Sequence, residues 1–400
     1  MESKIESTED KAINIIVTGC IHGCMDKMYK DIQEFEKQNK KKIDLVLCTG
    51  DFESLRNEED LKFLSCPEHY RLMGDFHKYY NSKVKAPYLT IFIGGNHEAS
   101  NYLEQNYYGG YVAENMYYLG RGGVINVKGL RIGGISGIFN KFDYFRGHFE
   151  KNENDIKSDK KSIFHYREFE IAKMSHIKNK LDIFMTHDWP TNIIDSKDFN
   201  RIFKLYPENK ESILKGTLGS FPAEFILKLL KPNYYICGHM HFYYTNIINN
   251  TKIYAFDKCV KKRHYFDLIE VKPSLKEFNV EDNNIYIDPE WIAITNAFNE
   301  FFPNENKNYS LLDIFEEKSK LFYNDIVLDK MKIDRNNIID VIDENDMLEK
   351  KINDLIMKKF NKRQKVKYEL NHQTEILLSI FDIGKDNNKH YLSSKYLGYI

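Results

Sequence analysis

Eight side chains with donor chemistry sit in short, glycine-punctuated stretches. Cys20 and His22 lie in "TGCIHG" and Asp51 in "TGD". Asn96 and His97 lie in "GGNHE", His187 in "THDWP", and His239 and His241 in "GHMH". A lone histidine of this kind is usually structural, but here the hits recur in order. Apart from His97 they supply one thiolate, one carboxylate, one amide and four imidazoles. That mix suits two borderline divalent transition ions better than magnesium or calcium. With the Asp51 carboxylate shared, each ion has about four protein ligands and room for water. Two such ions about 3.5–4 Å apart promote in-line attack of hydroxide on phosphorus. Cys20 by itself is open to three readings: metal ligand, redox thiol, or buried sulfur in a tight turn. Pairing with Cys24 is the weakest of them, because Cys24 falls at the start of a helix facing away.

The positioning elements are legible around these stretches. "INIIV", "IDLVLC", "YLTIFI", "LDIFM" and "NYYIC" are short runs of β-branched and aromatic residues. Unbroken apolar runs suit strands covered on both faces. Each runs directly into one of the donor stretches, so the donors gather at carboxyl ends of strands, where open α/β sheets bind ligands. Between the first two, Met25, Met28, Ile32 and Phe35 recur at helical spacing and predict a β-α-β unit. "GVINVKGLRIGGIS" predicts a hairpin turning at Lys128-Gly129. The expected fold class is α/β: a β-sandwich of mixed sheets flanked by helices, with a mainly helical C-terminal domain. The expected divisions are a tail over 1–11, a catalytic domain over 12–270 and a helical domain over 271–400. That last domain is expected from "WIAITNAFNEFF", "SLLDIFEEKSKLFYNDI" and "MLEKKINDLIMKKF", whose apolar residues recur at i, i+3 and i+4.

Composition excludes several classes. The 400 residues carry 58 Lys and Arg against 59 Asp and Glu. A nucleic-acid partner must therefore be held by a local basic patch and not by a global field. No run approaches the roughly 18 apolar residues of a membrane span. The first dozen residues match neither a signal nor a transit peptide. Six scattered cysteines show no disulfide framework, so reduced thiols are expected.

The ordered series D-x-H, G-D, G-N-H-[DE], H, G-H-x-H is the metallophosphoesterase (calcineurin-like) pattern, and residues 13–245 resemble it. The first motif departs from the pattern by having Cys20 in place of aspartate. "GCIHG", "GDFESLRNEEDL", "APYLTIFIGGNHEASN", "YGGYVAENMYYLG", "RIGGISGIFNKFDYFRGHFE", "HDWP", "TLGSFPAEFIL" and "DKC" are together similar to the RNA lariat debranching family. "LNHQTEILLSIFDI" matches the end of that family's helical domain more loosely.

The resemblance implies hydrolysis of the 2′–5′ phosphodiester at the branch point of excised intron lariats. It implies one ion held by Cys20, His22, Asp51 and His241, and another by Asp51, Asn96, His187 and His239. His97 is then the general acid for the departing 2′-oxygen; its bland alternative is a structural hydrogen bond to Glu98. Fe²⁺ and Zn²⁺ are the expected ions, with Mn²⁺ able to substitute, and the rival reading makes Cys20 a weak ligand in a metal-poor pocket. Branched lariat RNA is the expected partner, and the nucleus the expected place of action. An insertion over about 135–165, with Lys141, Tyr144, Phe145, Arg146 and His148, is expected to cradle the branch. Arg56, Asn57, Ser136, Tyr144 and His148 are the expected RNA contacts. "KKRH", Lys261–His264, is a further basic cluster, a kind of run that is usually a solvated face.

Three other readings carry distinct signatures. A phosphodiesterase of small or cyclic nucleotides shares the whole donor set and is the enzymatic alternative. A protein serine/threonine phosphatase carries "GDxVDRG" where this chain has "GDFESLRNEED". A non-enzymatic scaffold is expected to have lost donors, and here all eight side chains are present.

Overall fold

The computed structural model describes residues 11–150, 160–276, 278–298 and 366–367. Two mixed sheets face each other. The first has the order β12-β1-β2-β3-β5-β4, from β1 (Ile13–Thr18), β2 (Leu45–Cys48), β3 (Thr90–Phe92), β4 (Gly110–Ala113), β5 (Met116–Tyr118) and β12 (Phe266–Val271). The second runs β10-β11-β9-β8-β7-β6-β13-β14. Its strands are β6 (Gly122–Val127), β7 (Leu130–Ile135), β8 (Ile183–Thr186), β9 (Tyr234–Cys237), β10 (Tyr244–Ile248), β11 (Thr251–Ala255), β13 (Tyr286–Ile287) and β14 (Val366–Lys367).

Ile15, Val17, Leu45, Leu47, Ile91, Ile132, Ile183, Met185 and Ile236 fill the space between the sheets. Alternate residues of the same strands, Ile16, Val46 and Phe92, point the other way into a second apolar layer. Helix α1 (Met25–Asn39) covers that layer with Met25, Met28, Tyr29 and Ile32. The spacing i, i+3, i+4, i+7 puts these four on one helical face. On the far side of the second sheet lie α2 (Glu168–Ser175), α3 (Phe221–Leu230) and α4 (Pro289–Phe298), around Phe184 and Tyr235. Continuous burial on both faces is why the central strands read as unbroken apolar runs.

The β-α-β unit is present, with β1 and β2 parallel on either side of α1. So is the hairpin: β6 and β7 pair antiparallel, and Lys128 and Gly129 both take positive φ (51° and 76°). That is the type I′ turn that matches strand twist.

The described start of the expected helical domain is part of the sandwich, which corrects the boundary at 271. β13 adds to β6, and α4 packs on the second sheet. Buried Arg131 on β7 fastens this segment, pairing with Asp288 at 2.8 Å and with Glu290. Residues 299–365 and 368–400, where the further helices and the "LNHQTEILLSIFDI" match were expected, lie outside the described residues, as do 1–10 and 151–159.

The donor stretches follow two sheets, not one. Thr18 pairs with Cys48, and Cys48 with Phe92, so the loops after β1, β2 and β3 emerge side by side. The loops after β8 and β9 emerge from the facing sheet, joined by the Gly238 N–H donating to the His187 carbonyl at 3.0 Å. The site is the line where these two sets of strand ends meet.

Candidate metal centre

Five residues at this line hold left-handed backbone without being glycine: His22 (φ 47°), Asp51 (46°), Glu53 (57°), His239 (65°) and His241 (52°). Each such residue costs on the order of 1 kcal/mol or more. Surrounding bonds over-determine them; the His22 N–H, for example, donates to the Asp51 carbonyl at 2.6 Å. Strain concentrated on candidate donors is what a preorganised site requires.

Cys20, His22, Asp51 and His241 each present a donor atom, all within 4.8 Å of one another. His22 Nδ1 lies 3.0 Å from a Glu53 carboxylate oxygen, so that nitrogen carries the proton. In its neutral form the ring offers Nε2 as a lone pair, 3.2 Å from His241 Nε2 and 3.6 Å from Asp51 Oδ2. Asp51 Oδ2 is buried and has no hydrogen-bond partner among the described residues. An orphaned carboxylate oxygen facing two imidazole nitrogens fits a cation.

The other carboxylate oxygen faces a second group. His187 Nδ1 lies 2.7 Å from the Thr49 carbonyl and must donate there. Its Nε2 is thereby turned toward Asp51 Oδ1 at 3.3 Å and Asn96 Oδ1 at 3.2 Å. Three acceptors converge, and a ring proton or a metal ion relieves them. The His239 ring lies 4.9 Å from that of His187, and its backbone N–H donates to Cys20 Sγ at 3.2 Å.

Electrostatics follows from this crowding. Burial alone would raise the Asp51 carboxyl, but the His187 and His22 rings hold it well below the usual range. Burial first, and Asp51 second, push the Cys20 thiol well up. It therefore keeps its proton until a cation displaces it, and uptake at this side weakens as pH falls. Burial and then the His22 ring push His241 down to about 3, leaving it a neutral donor.

All eight side chains singled out in the sequence are brought together. The half-buried His97 ring lies edge-on to His22, centroids 5.3 Å apart, and its backbone N–H donates to Asp51 Oδ1 at 2.8 Å. Glu98 instead accepts the backbone N–H groups of Phe52 (2.7 Å), Glu53 (2.9 Å) and Gly95 (3.2 Å). Burial and then Asp51 push its carboxyl up to about 8.

The expected RNA contacts divide between interior and surface. Ser136 is buried, donating to the Gly120 carbonyl at 2.6 Å and accepting the Gly94 N–H at 2.9 Å. Tyr144 packs inside the insertion against Phe139 and Phe145. His148 is buried on Glu170 at 2.8 Å. These three brace the insertion, and the correction has a physical reason: an internal polar network and a nucleic-acid surface draw on the same residue types. Exposed Phe142, with the Lys141 ammonium 4.9 Å from its ring, is the outward part. The Arg56 guanidinium is held by Asp60 and lies over Tyr102 at 4.2 Å, while Asn57 is exposed.

Glu53 and the Thr49 carbonyl were missed as orienting groups, although Thr49 opens "TGD" and a carboxylate two residues past Asp51 was a readable signal. Such partners fix ligand tautomers, and losing one costs about 10–100-fold in metal affinity. Glu53→Gln keeps a hydrogen bond to His22 without the charge. We expect metal titration of this variant to show a loss in that range, with the fold unchanged; wild-type affinity would remove Glu53 from the centre.

A family model of calcineurin-like phosphoesterases matches residues 13–243, and one of the lariat debranching enzyme C-terminal domain matches 249–386. The lariat debranching enzyme of Arabidopsis thaliana is 42% identical over 300 residues, covering 73% of this chain and 70% of its own. Those of Gallus gallus and Homo sapiens are 38% and 39% identical, over 75% and 71% of this chain. The matched part spans only 57% and 54% of those two relatives. The family implies divalent metal ions, for which Cys20, His22, Asp51 and His241 form a candidate group, and this chain belongs to the lariat debranching enzyme family of the calcineurin-like phosphoesterases.

Proposed function

We propose that this chain hydrolyses the 2′–5′ phosphodiester at the branch of lariat RNA, at a centre of two divalent transition-metal ions. The observation that carries the reading is the Asp51 carboxylate. One oxygen lies 3.6 Å from His22 Nε2, in the group that includes Cys20 and His241, and the other lies 3.3 Å from His187 Nε2, which also faces Asn96. Cys20, His22, Asp51 and His241 would hold one ion, and Asp51, Asn96, His187 and His239 the other. Thiolate and imidazole donors favour Fe²⁺ and Zn²⁺, with Mn²⁺ as a substitute. When bound, such ions supply Lewis acidity at the phosphate and an acidified water.

The protein's own groups do the rest. Attack of water on phosphorus breaks the bond to the 2′-oxygen, leaves a 5′-phosphate on the departing arm and restores the 2′-hydroxyl. The 2′-oxygen needs a proton, and His97 supplies it as general acid. Pinning the His97 N–H to Asp51 places the ring beside the centre without making it a ligand. Glu53 and the Thr49 carbonyl hold His22 and His187 in the tautomers that present Nε2. The insertion, through Lys141 and Phe142, and exposed Asn57 face the RNA arms. Lariats arise by splicing, so the nucleus is the proposed place of action.

The test is an assay of protein purified without chelator on a branched RNA bearing one 2′–5′ linkage, with metal content measured on the same sample. Cleavage at the branch with about two iron or zinc equivalents is expected. Cleavage with about one equivalent keeps the reaction and demotes Cys20 to a weak ligand. No cleavage after Fe²⁺, Zn²⁺ or Mn²⁺ is supplied overturns the proposal, and turnover of 2′,3′-cyclic nucleotides would then favour the small-nucleotide reading.

A further inference from the structure

The basic run Lys261–His264 takes no part in the centre, yet it folds back beside it. The Cys259 N–H donates to the Cys20 carbonyl at 2.8 Å, and the Gly19 N–H to the Tyr265 carbonyl at 2.8 Å. The loop between these two bonds is therefore tied to the Cys20 turn at both ends. At its outer side the His264 ring stacks on Tyr243, two residues beyond His241, with centroids 3.7 Å apart and planes within 10°. Asp267 clamps the pair: one oxygen accepts the Tyr243 hydroxyl at 2.7 Å, and the other lies 2.7 Å from His264 Nε2. Tyr243 leans in turn on buried Phe256, centroids 5.8 Å apart. The stack is braced from the core outward.

A solvated histidine needs no second anchor holding it parallel to a tyrosine. Here the inner face of His264 is occupied and its side chain is 48% exposed, so a flat ring is presented to solvent. Arg263 is committed to Asp257 at 3.0 Å, whereas Lys261 and Lys262 are exposed and Lys258 is half-buried on the same loop. A fixed aromatic face flanked by ammonium groups is the chemistry that holds an unpaired base and its phosphates.

We propose that the Tyr243–His264 pair, with Lys258, Lys261 and Lys262, is a landing site for a single-stranded RNA arm passing the centre on the His241 side. One base stacks on the outer face of His264, and the lysines face the adjoining phosphates. The assignment rests on the RNA reading above and extends it to a surface formed by residues outside the insertion.

Fluorescence anisotropy of a labelled single-stranded RNA decanucleotide on the full chain tests it. His264→Ala should weaken binding about tenfold, and His264→Phe should restore it. The double variant Lys261→Ala/Lys262→Ala should lower the slope of log affinity against log salt by about 1.4. Hydrolysis of bis-p-nitrophenyl phosphate, which has no arms, should be the same in all variants. Wild-type affinity in His264→Ala overturns the platform, as does absence of binding by the wild-type chain. Loss in the lysine variant alone leaves only a solvated charge run, and a shared fall in diester hydrolysis would mean damage to the centre; either overturns the proposal. If the wild type binds the strand but does not cleave branched RNA, the functional reading fails while the anisotropy series still decides this one.

Discussion

Asp51→Asn should abolish metal binding on both sides of the centre and lower kcat on branched RNA by a factor on the order of 1,000 or more. Metal ions of this kind contribute several kcal/mol to the transition state, and each 1.36 kcal/mol is a factor of ten. Among the described residues Asp51 is the one carboxylate between the two candidate donor groups, so no neighbour there replaces it. The substitution is isosteric, and asparagine tolerates the left-handed backbone (φ 46°) that Asp51 adopts. The amide oxygen can still accept the His97 N–H. The amide nitrogen would donate where Oδ2 now lacks a partner, toward His22 or His241 Nε2. The metal-free variant should therefore melt no lower than the metal-free wild type. Elemental analysis, kinetics and a thermal melt on one preparation check the three parts. Activity within tenfold of wild type would show that the carboxylate does not organise the centre.

Gly95→Ala should cut kcat/KM by about 100-fold without touching any donor. A Cβ at Gly95 would stand 2.2 Å from Asp51 Oδ1, 2.5 Å from the Asp51 nitrogen and 2.7 Å from His187 Cε1. Backbone on one side and a buried ring on the other leave no flexible group to yield, so the carboxylate must be displaced. Misplacement by about 1 Å costs roughly that factor in rate, and overpacking costs about 1–3 kcal/mol in stability. Gly94→Ala is the control. Its Cβ would first meet Leu103 Cδ1 at 3.3 Å, the end of a flexible side chain, and its effect should stay within several-fold. Equal losses in the two variants would mean that crowding of the loop, and not of Asp51, is responsible. The glycine pair in "GGNHE" thus divides its work: the second glycine leaves room for the carboxylate and the first follows the strand.

How far the sequence reached depended on the range of the interaction. The strands, α1 and the Lys128-Gly129 hairpin were legible because burial on one or two faces imposes a local period, and turn residues punctuate it. The positions of the candidate donors were legible too, since each follows a strand within a few residues. Local pattern could not say which sheet a strand joins, and only the structure shows that the candidate donors come from two facing sheets. Nor could it separate surface from interior in the insertion. Ser136, Tyr144 and His148 have the composition of an RNA contact, yet hydrogen bonds to Gly120 and Glu170 and packing on Phe139 take them inside.

The sequence by itself determined which donor atoms this protein owns and where along the chain each is delivered. Only the tertiary structure decided which face one another. That decision turns on contacts between segments far apart in the chain: Glu53 on His22, the Thr49 carbonyl on His187, and Asp267 holding Tyr243 against His264. A tautomer, an orphaned carboxylate oxygen and a clamped ring stack are properties of such contacts. No local period encodes them, because each arises only when two separately buried strands bring their ends to the same place.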